Sequence, residues 1–173
     1  MNEKDIVRIG EQLWMSHNLY LPADPDNGIY EDSGESLFTW EAAVKAAESV
    51  GDGWRLPTLE DWKKLTRFCG GTSVAGKRVK SMTGWESAYE GKNGLDDVGF
   101  CGKPVGYYSP GCGRVIYQGI SVAYWSSTWT RYVNEYGEKV HEPIYWALEA
   151  HHYGFGEGSV DGNVGHCVRL VKD

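Results

Sequence analysis

"GDGWRLPTLEDW", residues 51–62, contains the signal that decides the fold. Pro57 restricts Leu56, the residue before it, to an extended conformation. Thr58 follows as a candidate helix N-cap, and Asp61 stands three residues later, where its carboxylate completes a capping box and suits the positive end of the helix dipole. The stretch therefore predicts an extended segment that turns into a helix at a fixed residue.

Two helices are predicted around this stretch. In "LEDWKKLTRF" the apolar residues recur at helical spacing, which predicts a helix over residues 59–68. Upstream, "TWEAAVKAAESV" shows the same spacing after Thr39, a suitable N-cap, and predicts a helix over residues 40–49.

The rest of the chain favours strands and turns. "IVRIGEQLWMSHNL" predicts a hairpin over residues 6–19 that turns near Gly10 and Glu11. Past Gly71, "GISVAYWSSTW" and "CVRLV" are typical of strands, whereas "EGKNGLDDVG" and "YSPGCGR" are typical of loops. This order predicts one α+β domain over residues 1–173, in which two helices flank a mostly antiparallel sheet and the C-terminal half is rich in loops.

Charge and hydropathy argue against a nucleic-acid partner and against membrane insertion. The formal net charge is -7 and the longest basic cluster is "GKRVK", so we expect no nucleic-acid partner. No stretch approaches the roughly 20 apolar residues of a membrane-spanning helix, so no membrane insertion is expected. The start, "MNEKDIVRIG", lacks the apolar core of a secretion signal, but a removed leader would look the same, and the localisation stays open.

Seven segments carry a family resemblance. In order they are "IGEQLWMSHNL", "TWEAA", "GWRLPTLEDW", "GKRVKSMTGW", "DDVGF", "YWSST" and "GHCVRLVKD". They resemble the Fibrobacter succinogenes major paralogous domain, which has the C-type lectin-like fold. The resemblance implies that the two ends of the chain pair, with residues 9–19 beside residues 168–171. It implies less about activity, because this fold serves carbohydrate binders, adhesins and formylglycine-generating enzymes.

One departure from the family concerns a disulfide. Members commonly carry a cysteine before the second helix and another near the C-terminal end, which implies a bridge between them. Here those positions are Val50 and Leu170, and the paired loss implies that packing replaces the bridge, as suits folding in a reducing compartment. The cysteines present show no Cys-x-x-Cys spacing, so free thiols and a bridge both stay open. They are Cys69, Cys101, Cys112 and Cys167.

The resemblance also implies a function. Some proteins of this fold are variable proteins of diversity-generating retroelements, often phage-encoded receptor binders, whose C-terminal codons are rewritten at adenines. Rewritten Asn codons cannot yield Trp, Met, Glu, Gln or Lys, and in "HHYGFGEGSVDGNVGHC", residues 151–167, only Glu157 falls outside the reachable set. We therefore expect a ligand- or receptor-binding module with a variable C-terminal surface, from a phage or a bacterium. The alternatives are a secreted or surface lipoprotein adhesin that binds glycan, and a formylglycine-type oxidase.

Calcium binding is not expected. Calcium-dependent lectins use Glu-Pro-Asn and Trp-Asn-Asp motifs, because Ca²⁺ needs several carboxylate or carbonyl oxygens. Here Ile144 follows Glu142 and Pro143, and no acid follows "YW" in "YWSST". Asp96 and Asp97 are interpreted as turn-forming loop residues.

Zinc and thiol chemistry are not expected either. His141, His151, His152 and His166 lie in the same half of the chain. His151 and His152 are adjacent, however, and on a strand adjacent residues point to opposite faces, which argues against a shared zinc ion. For an oxidase, Cys112 and Cys167 are the candidate thiols, but no spacing and no base supports them.

The binding surface is predicted in the tail after Trp125. The candidate ligand-binding residues are Trp129, Tyr132, Tyr145, Trp146, His151, His152, Tyr153, Phe155, Asp161 and Asn163. Strand alternation is expected to bury some of the aromatic rings, whereas flanking glycines favour exposure. Five of the candidates are predicted to form one shallow patch, with Trp129 and Tyr132 beside it; the five are His151, Tyr153, Phe155, Asp161 and Asn163. The predicted partner is a protein or glycan receptor on a cell surface, bound without a metal or another cofactor, and no catalytic residue is predicted.

Overall fold

Three helices and several small antiparallel sheets make up the described fold. The structure, a computed structural model, describes residues 5–86 and 93–173. The helices there are α1 (Trp40–Val50), α2 (Leu59–Phe68) and α3 (Gly76–Val79), with a 3-10 turn at Pro25–Asn27. The strands are β1 (Ile6–Ile9), β2 (Gln12–Met15), β3 (Ile29–Asp32), β4 (Glu35–Phe38), β5 (Tyr107–Ser109), β6 (Arg114–Ile116), β7 (Ser121–Val133), β8 (Lys139–Glu149), β9 (Phe155–Ser159) and β10 (Val171–Lys172). None of these helices is long and apolar enough to cross a membrane.

Capping fixes where the two longer helices begin, and both predicted helices are confirmed. The Thr39 side chain accepts a hydrogen bond from the amide of Ala42 at the start of α1. At α2, the Thr58 side chain accepts from the Asp61 amide at 3.2 Å, while the Asp61 carboxylate accepts from the Thr58 amide at 2.8 Å. The predicted capping box is therefore present.

The two ends of the chain pair, as the resemblance implied. β1 and β2 form the predicted hairpin, which turns at Gly10 with a positive φ of 63°. β10 then pairs antiparallel with β2, so that Val171 lies opposite Trp14. The order β1-β2-β10 places the N-terminal hairpin beside the last strand.

The stretch over residues 51–62 joins this terminal sheet to the core. Arg55 and Val171 exchange both backbone hydrogen bonds, at 3.0 and 3.1 Å, so the extended residues before Pro57 continue the sheet beyond β10. The chain then enters α2 and carries Trp62 into the interior. Its fully buried ring lies 4.9 Å from that of Trp14 and 5.8 Å from that of Tyr124.

The rest of the strand prediction holds in part. Instead of one sheet, the described strands form four small sheets with the orders β1-β2-β10, β3-β4, β5-β6 and β7-β8-β9. "YSPGCGR" contributes to the β5–β6 hairpin and is not wholly a loop. Of "CVRLV", only the last residue lies in a strand, β10, and the first, Cys167, makes an isolated parallel bridge to Tyr124. Of the predicted loop over residues 90–99, the first three residues lie outside the described part.

Apolar side chains occupy the place where the resemblance implied a disulfide in other members of the family. Leu170 is fully buried in an apolar cluster with Trp54 and Leu56, and Val50 packs against the same cluster. All four cysteines are free thiols. Direct contact between Val50 and Leu170 stays a prediction.

Candidate functional site

A β-bulge positions Trp129 beside Trp40. The register of β7 against β8 shifts between Trp125 and Trp129, and such bulges redirect the side chains that follow them. At the bulge the carbonyl of Ser126 accepts a hydrogen bond from the Trp40 indole nitrogen at 2.9 Å. Trp129 then packs edge to face on Trp40, with ring centroids 4.8 Å apart.

Hydroxyl groups of "YWSST" hold the bulge against the start of α2. Ser126 Oγ donates to the Pro57 carbonyl at 3.0 Å, and Thr128 Oγ1 accepts from the Leu59 amide at 3.0 Å. This contact joins two of the seven family segments. Sequence reasoning missed it because the partners are 69 positions apart.

The loop over residues 160–164 lies against the start of α1. The Trp40 amide donates to the Gly162 carbonyl at 2.8 Å. Asp161 Oδ1 accepts from both the main-chain and the side-chain nitrogen of Asn163, each at 2.8 Å, so the loop is a local turn with defined side-chain positions.

These elements enclose a depression of about 230 Å³, which we call the tryptophan depression. It is lined by residues 39–41 at the start of α1, which include Trp40 and the carboxylate of Glu41, by Trp129 after the bulge, and by residues 161–163 of the loop. Trp129 is 38% exposed there. Three of the residues predicted from the sequence are thus brought together, although Trp129 is more than 30 positions from the other two.

A second cavity, of about 330 Å³, is lined by the two ends of the same loop, Val160 and Val164. We call it the tyrosine cavity, because Tyr107 of β5 and Tyr145 of β8 line it. The loop over residues 160–164 is therefore a wall shared by the two depressions.

The tyrosine cavity offers neutral polar groups beside the carboxylate of Glu149. Burial raises the pKa of both Tyr107 and Tyr145, so both phenols are protonated at neutral pH. Burial also lowers the pKa of His166, which lines the cavity, to about 3. Burial outweighs a backbone hydrogen bond with Gly165, which acts on this pKa in the opposite direction. Sequence reasoning considered His166 only as a metal ligand and missed this position.

The prediction that His151 and His152 point to opposite faces is wrong. β8 ends at Glu149, so the two histidines occupy the turn after the strand and strand alternation does not apply to them. Nε2 of His151 and Nε2 of His152 lie 3.0 and 3.4 Å from the same oxygen, Oε2 of Glu149. Burial lowers the pKa of His152, against the opposite effect of the Glu149 charge.

Trp146 and Phe155 belong to the core, so the expectation that Phe155 is exposed is wrong. Trp146 is 1% exposed because it alternates with Tyr145 on β8 and points inward. Phe155 is fully buried, with its ring 5.6 Å from that of Trp62. Its amide donates to the Thr72 carbonyl at 2.8 Å, so the flanking glycines lie in a well-anchored segment.

The predicted single patch is therefore divided. Tyr132 is 47% exposed but lines a different depression, with Glu157. Tyr153 is partly buried, and its ring lies 5.6 Å from Nζ of Lys80. The candidates that share a cavity wall are Trp129, Asp161 and Asn163 in the tryptophan depression, and Tyr145 lines the tyrosine cavity.

Another cavity of about 510 Å³ is a weaker candidate for recognition. No aromatic side chain lines it among the described residues, and Lys103 and Glu35 form an ion pair of 3.2 Å at its wall. Asp96, also at this wall, accepts a hydrogen bond from the Cys101 amide at 2.6 Å, and Asp97 pairs with Arg78 at 2.9 Å. Both aspartates hold a loop in place, as predicted.

The structure is that of a small α+β domain with several cavities on its surface. The model of a family described as the Fibrobacter succinogenes major domain matches residues 7–172, and the chain belongs to this family. No curated protein and no solved structure matches the chain.

Proposed function

We propose that this chain is a binding module that recognises a glycan through the tryptophan depression and the tyrosine cavity together. One observation carries the proposal: Trp129, Asp161 and Asn163 converge with Trp40 around one depression, and the same loop also lines the cavity of Tyr107 and Tyr145. Because both cavities are lined by residues of the loop over 160–164, the proposed ligand is an oligosaccharide that contacts both of them.

The chemistry of the two cavities suits sugars. Aromatic rings pack against the C–H face of a sugar ring, while amide, carboxylate and phenol groups bond its hydroxyls. Tyr107 and Tyr145 are neutral donors, and the net charge of -7 disfavours an anionic polymer.

We further propose that the fold is C-type lectin-like. The support is the pairing of β10 with the N-terminal hairpin, which the resemblance implied, together with the two helices α1 and α2 at the positions predicted from the sequence pattern. Diversification of the surface by a retroelement remains part of this proposal. It is tested by the genomic neighbourhood, where a reverse transcriptase gene and a near-copy of the C-terminal coding segment are expected.

The oxidase alternative finds little support in the thiols. Cys167 is fully buried beside Asn18, and burial raises the pKa of its thiol, which therefore stays protonated. Cys112 is exposed in the turn between β5 and β6, and no described contact joins its thiol to a basic side chain.

The proposal is tested on an array of immobilised glycans with fluorescently labelled protein. We expect selective binding to a subset of neutral oligosaccharides. Trp129→Ala should weaken binding to these by roughly tenfold or more, as expected for a contact worth about 2 kcal/mol. Tyr136→Ala is the matched control, because Tyr136 is 80% exposed in the β7–β8 turn, away from both cavities.

Two results would overturn the proposal. The first is an array with no glycan bound above background by folded protein. The second is selective binding that Trp129→Ala leaves unchanged. Binding to a protein receptor in place of any glycan, lost in Trp129→Ala, would reject the glycan but retain the surface.

A further inference from the structure

The turn after β8 brings three metal-binding side chains together. Ligand atoms of Glu149, His151 and His152 all lie within 4.8 Å of one another. The rings of the two histidines are 4.6 Å apart and nearly perpendicular, at 80°. All three side chains are between 42% and 50% exposed, so an ion has access from solvent.

The backbone beneath these side chains is held by a buried lysine. Lys80 is fully buried, and its Nζ donates to the carbonyls of Glu149 and His152 at 2.5 and 2.8 Å. These carbonyls belong to the first and last residues of the cluster. Between them, the Ala150 amide donates to the Ile120 carbonyl at 2.7 Å.

Contacts beyond the cluster fix the same turn. The carbonyl of Tyr153 accepts from the Gly76 amide at 2.8 Å, and a Cβ at Gly76 would lie only 2.6 Å from that oxygen. Phe155 then enters the core. The turn is thus a rigid support for exposed side chains, and such support reduces the entropy lost when they bind an ion.

The separations fit the coordination of a small dication. Zinc bonds to histidine nitrogen and carboxylate oxygen are about 2.0–2.1 Å long, so tetrahedral ligand atoms lie about 3.4 Å apart. The two nitrogen-to-oxygen distances at Glu149 are 3.0 and 3.4 Å. The ligand atoms of the two imidazoles lie within 4.8 Å of each other, and a bound ion would bring them to about 3.4 Å.

We propose that Glu149, His151 and His152 form a site for one transition-metal dication of the zinc class, with a coordination position open to solvent. Two imidazoles and one carboxylate are a ligand set that Zn²⁺ accepts with an open fourth position. Because Glu149 also lines the tyrosine cavity, the ion lies at the rim of that cavity. Glycan binding at the proposed surface does not require this metal site.

Metal binding at Nε2 has a defined consequence for His152. Its Nδ1 accepts a hydrogen bond from the Gly154 amide at 2.9 Å, so the neutral ring carries its proton on Nε2. Zinc at Nε2 moves that proton to Nδ1 and breaks the bond to Gly154. Nitrogen-15 NMR of the imidazole reports this change of tautomer directly.

The test is calorimetric titration of tag-free protein with zinc chloride alone. We expect one ion per chain, and at least about tenfold weaker binding in both His151→Ala and Glu149→Gln. His17→Ala is the matched control, because His17 is similarly exposed, at 51%, and pairs with a single carboxylate, that of Asp5. This control should bind as the wild type does.

Several results would overturn the inference. These are the absence of saturable binding up to millimolar zinc, wild-type affinity in His151→Ala, and an equal loss of affinity in His17→Ala. Binding without a tautomer change at His152 would also contradict it. Circular dichroism of each variant ensures that a loss of binding is not a loss of folding.

Discussion

At the scale of single residues, His166 is an imidazole that the fold keeps neutral. Its ring lies 4.5 Å from that of Trp125 and 5.0 Å from that of Tyr145, and it is 3% exposed. Protonation in this setting would bury an unpaired charge. The folded-state pKa is accordingly about 3, against 6.5 for an unperturbed histidine.

This difference predicts how stability depends on pH. Between these two values the unfolded chain binds a proton at His166 and the folded chain does not, so the free energy of unfolding falls as pH falls from 6.5 towards 3. The contribution is complete above pH 6.5 and amounts to on the order of 5 kcal/mol across the whole window. Urea unfolding at a series of pH values should therefore give a shallower profile for His166→Gln than for the wild type. Parallel profiles would show that His166 is not the responsible group.

A second residue-scale prediction separates core rings from surface rings. Phe155→Ala removes a fully buried ring and should lower the free energy of unfolding by about 3–5 kcal/mol. Trp129→Ala removes a partly exposed ring and should lower it by about 1 kcal/mol or less. Chemical denaturation compares the two. Equal losses would place Trp129 in the core and remove it from the binding surface.

At the scale of elements, the start of α2 depends on one buried carboxylate. Asp61 accepts hydrogen bonds from Arg55 and Gln12, each at 2.6 Å, as well as from Thr58. Burial alone would raise the pKa of this carboxyl, but the hydrogen bonds from Arg55 and Thr58 outweigh it and hold the pKa well below its usual range.

Asp61→Asn should therefore destabilise the fold more than Thr58→Ala does. The first change removes the charge that Arg55 and Gln12 bond and should lower the free energy of unfolding by about 3 kcal/mol. The second removes one cap and should lower it by about 1 kcal/mol. Thermal unfolding at neutral pH ranks the two. The reverse order would show that the Thr58 cap contributes more to stability than the hydrogen bonds of the Asp61 carboxylate with Arg55 and Gln12.

The elements also show why some positions could be predicted and others could not. The caps of α1 and α2 are local, so the positions of Thr39 and Thr58 relative to the residues that follow predict both helices. The turn at His151 is not local, because it depends on Lys80, about 70 positions earlier in the chain. The exposure predicted for Phe155 from its flanking glycines was wrong for a similar reason. The rings that bury Phe155 lie in distant segments of the chain.

At the scale of the whole molecule, the paired ends of the chain close the domain. The hairpin β1–β2, β10 and the extended residues around Arg55 form one continuous arrangement. The resemblance predicted this pairing, and the residues alone did not. The loop over residues 160–164, which lines both cavities, was predicted by neither, because its position depends on the amide of Trp40.

A cross-link tests the packing near those ends. Because Val50 and Leu170 pack in one apolar cluster, Val50→Cys with Leu170→Cys should form a disulfide under oxidation, which requires a Cα separation within about 7 Å. Mass spectrometry detects the bond, with each single variant as the control for the native thiols. A folded double variant that never cross-links would contradict the alignment with the family's cysteine positions.

The most direct test of the binding surface is an NMR titration of nitrogen-15-labelled protein with the strongest glycan from the array. We expect the largest shifts on the indole N–H of Trp129, the side-chain amide of Asn163 and the amides of residues 160–164, whereas Tyr136 should stay unshifted. Shifts centred on the cavity near Lys103, or spread evenly over the surface, would contradict it.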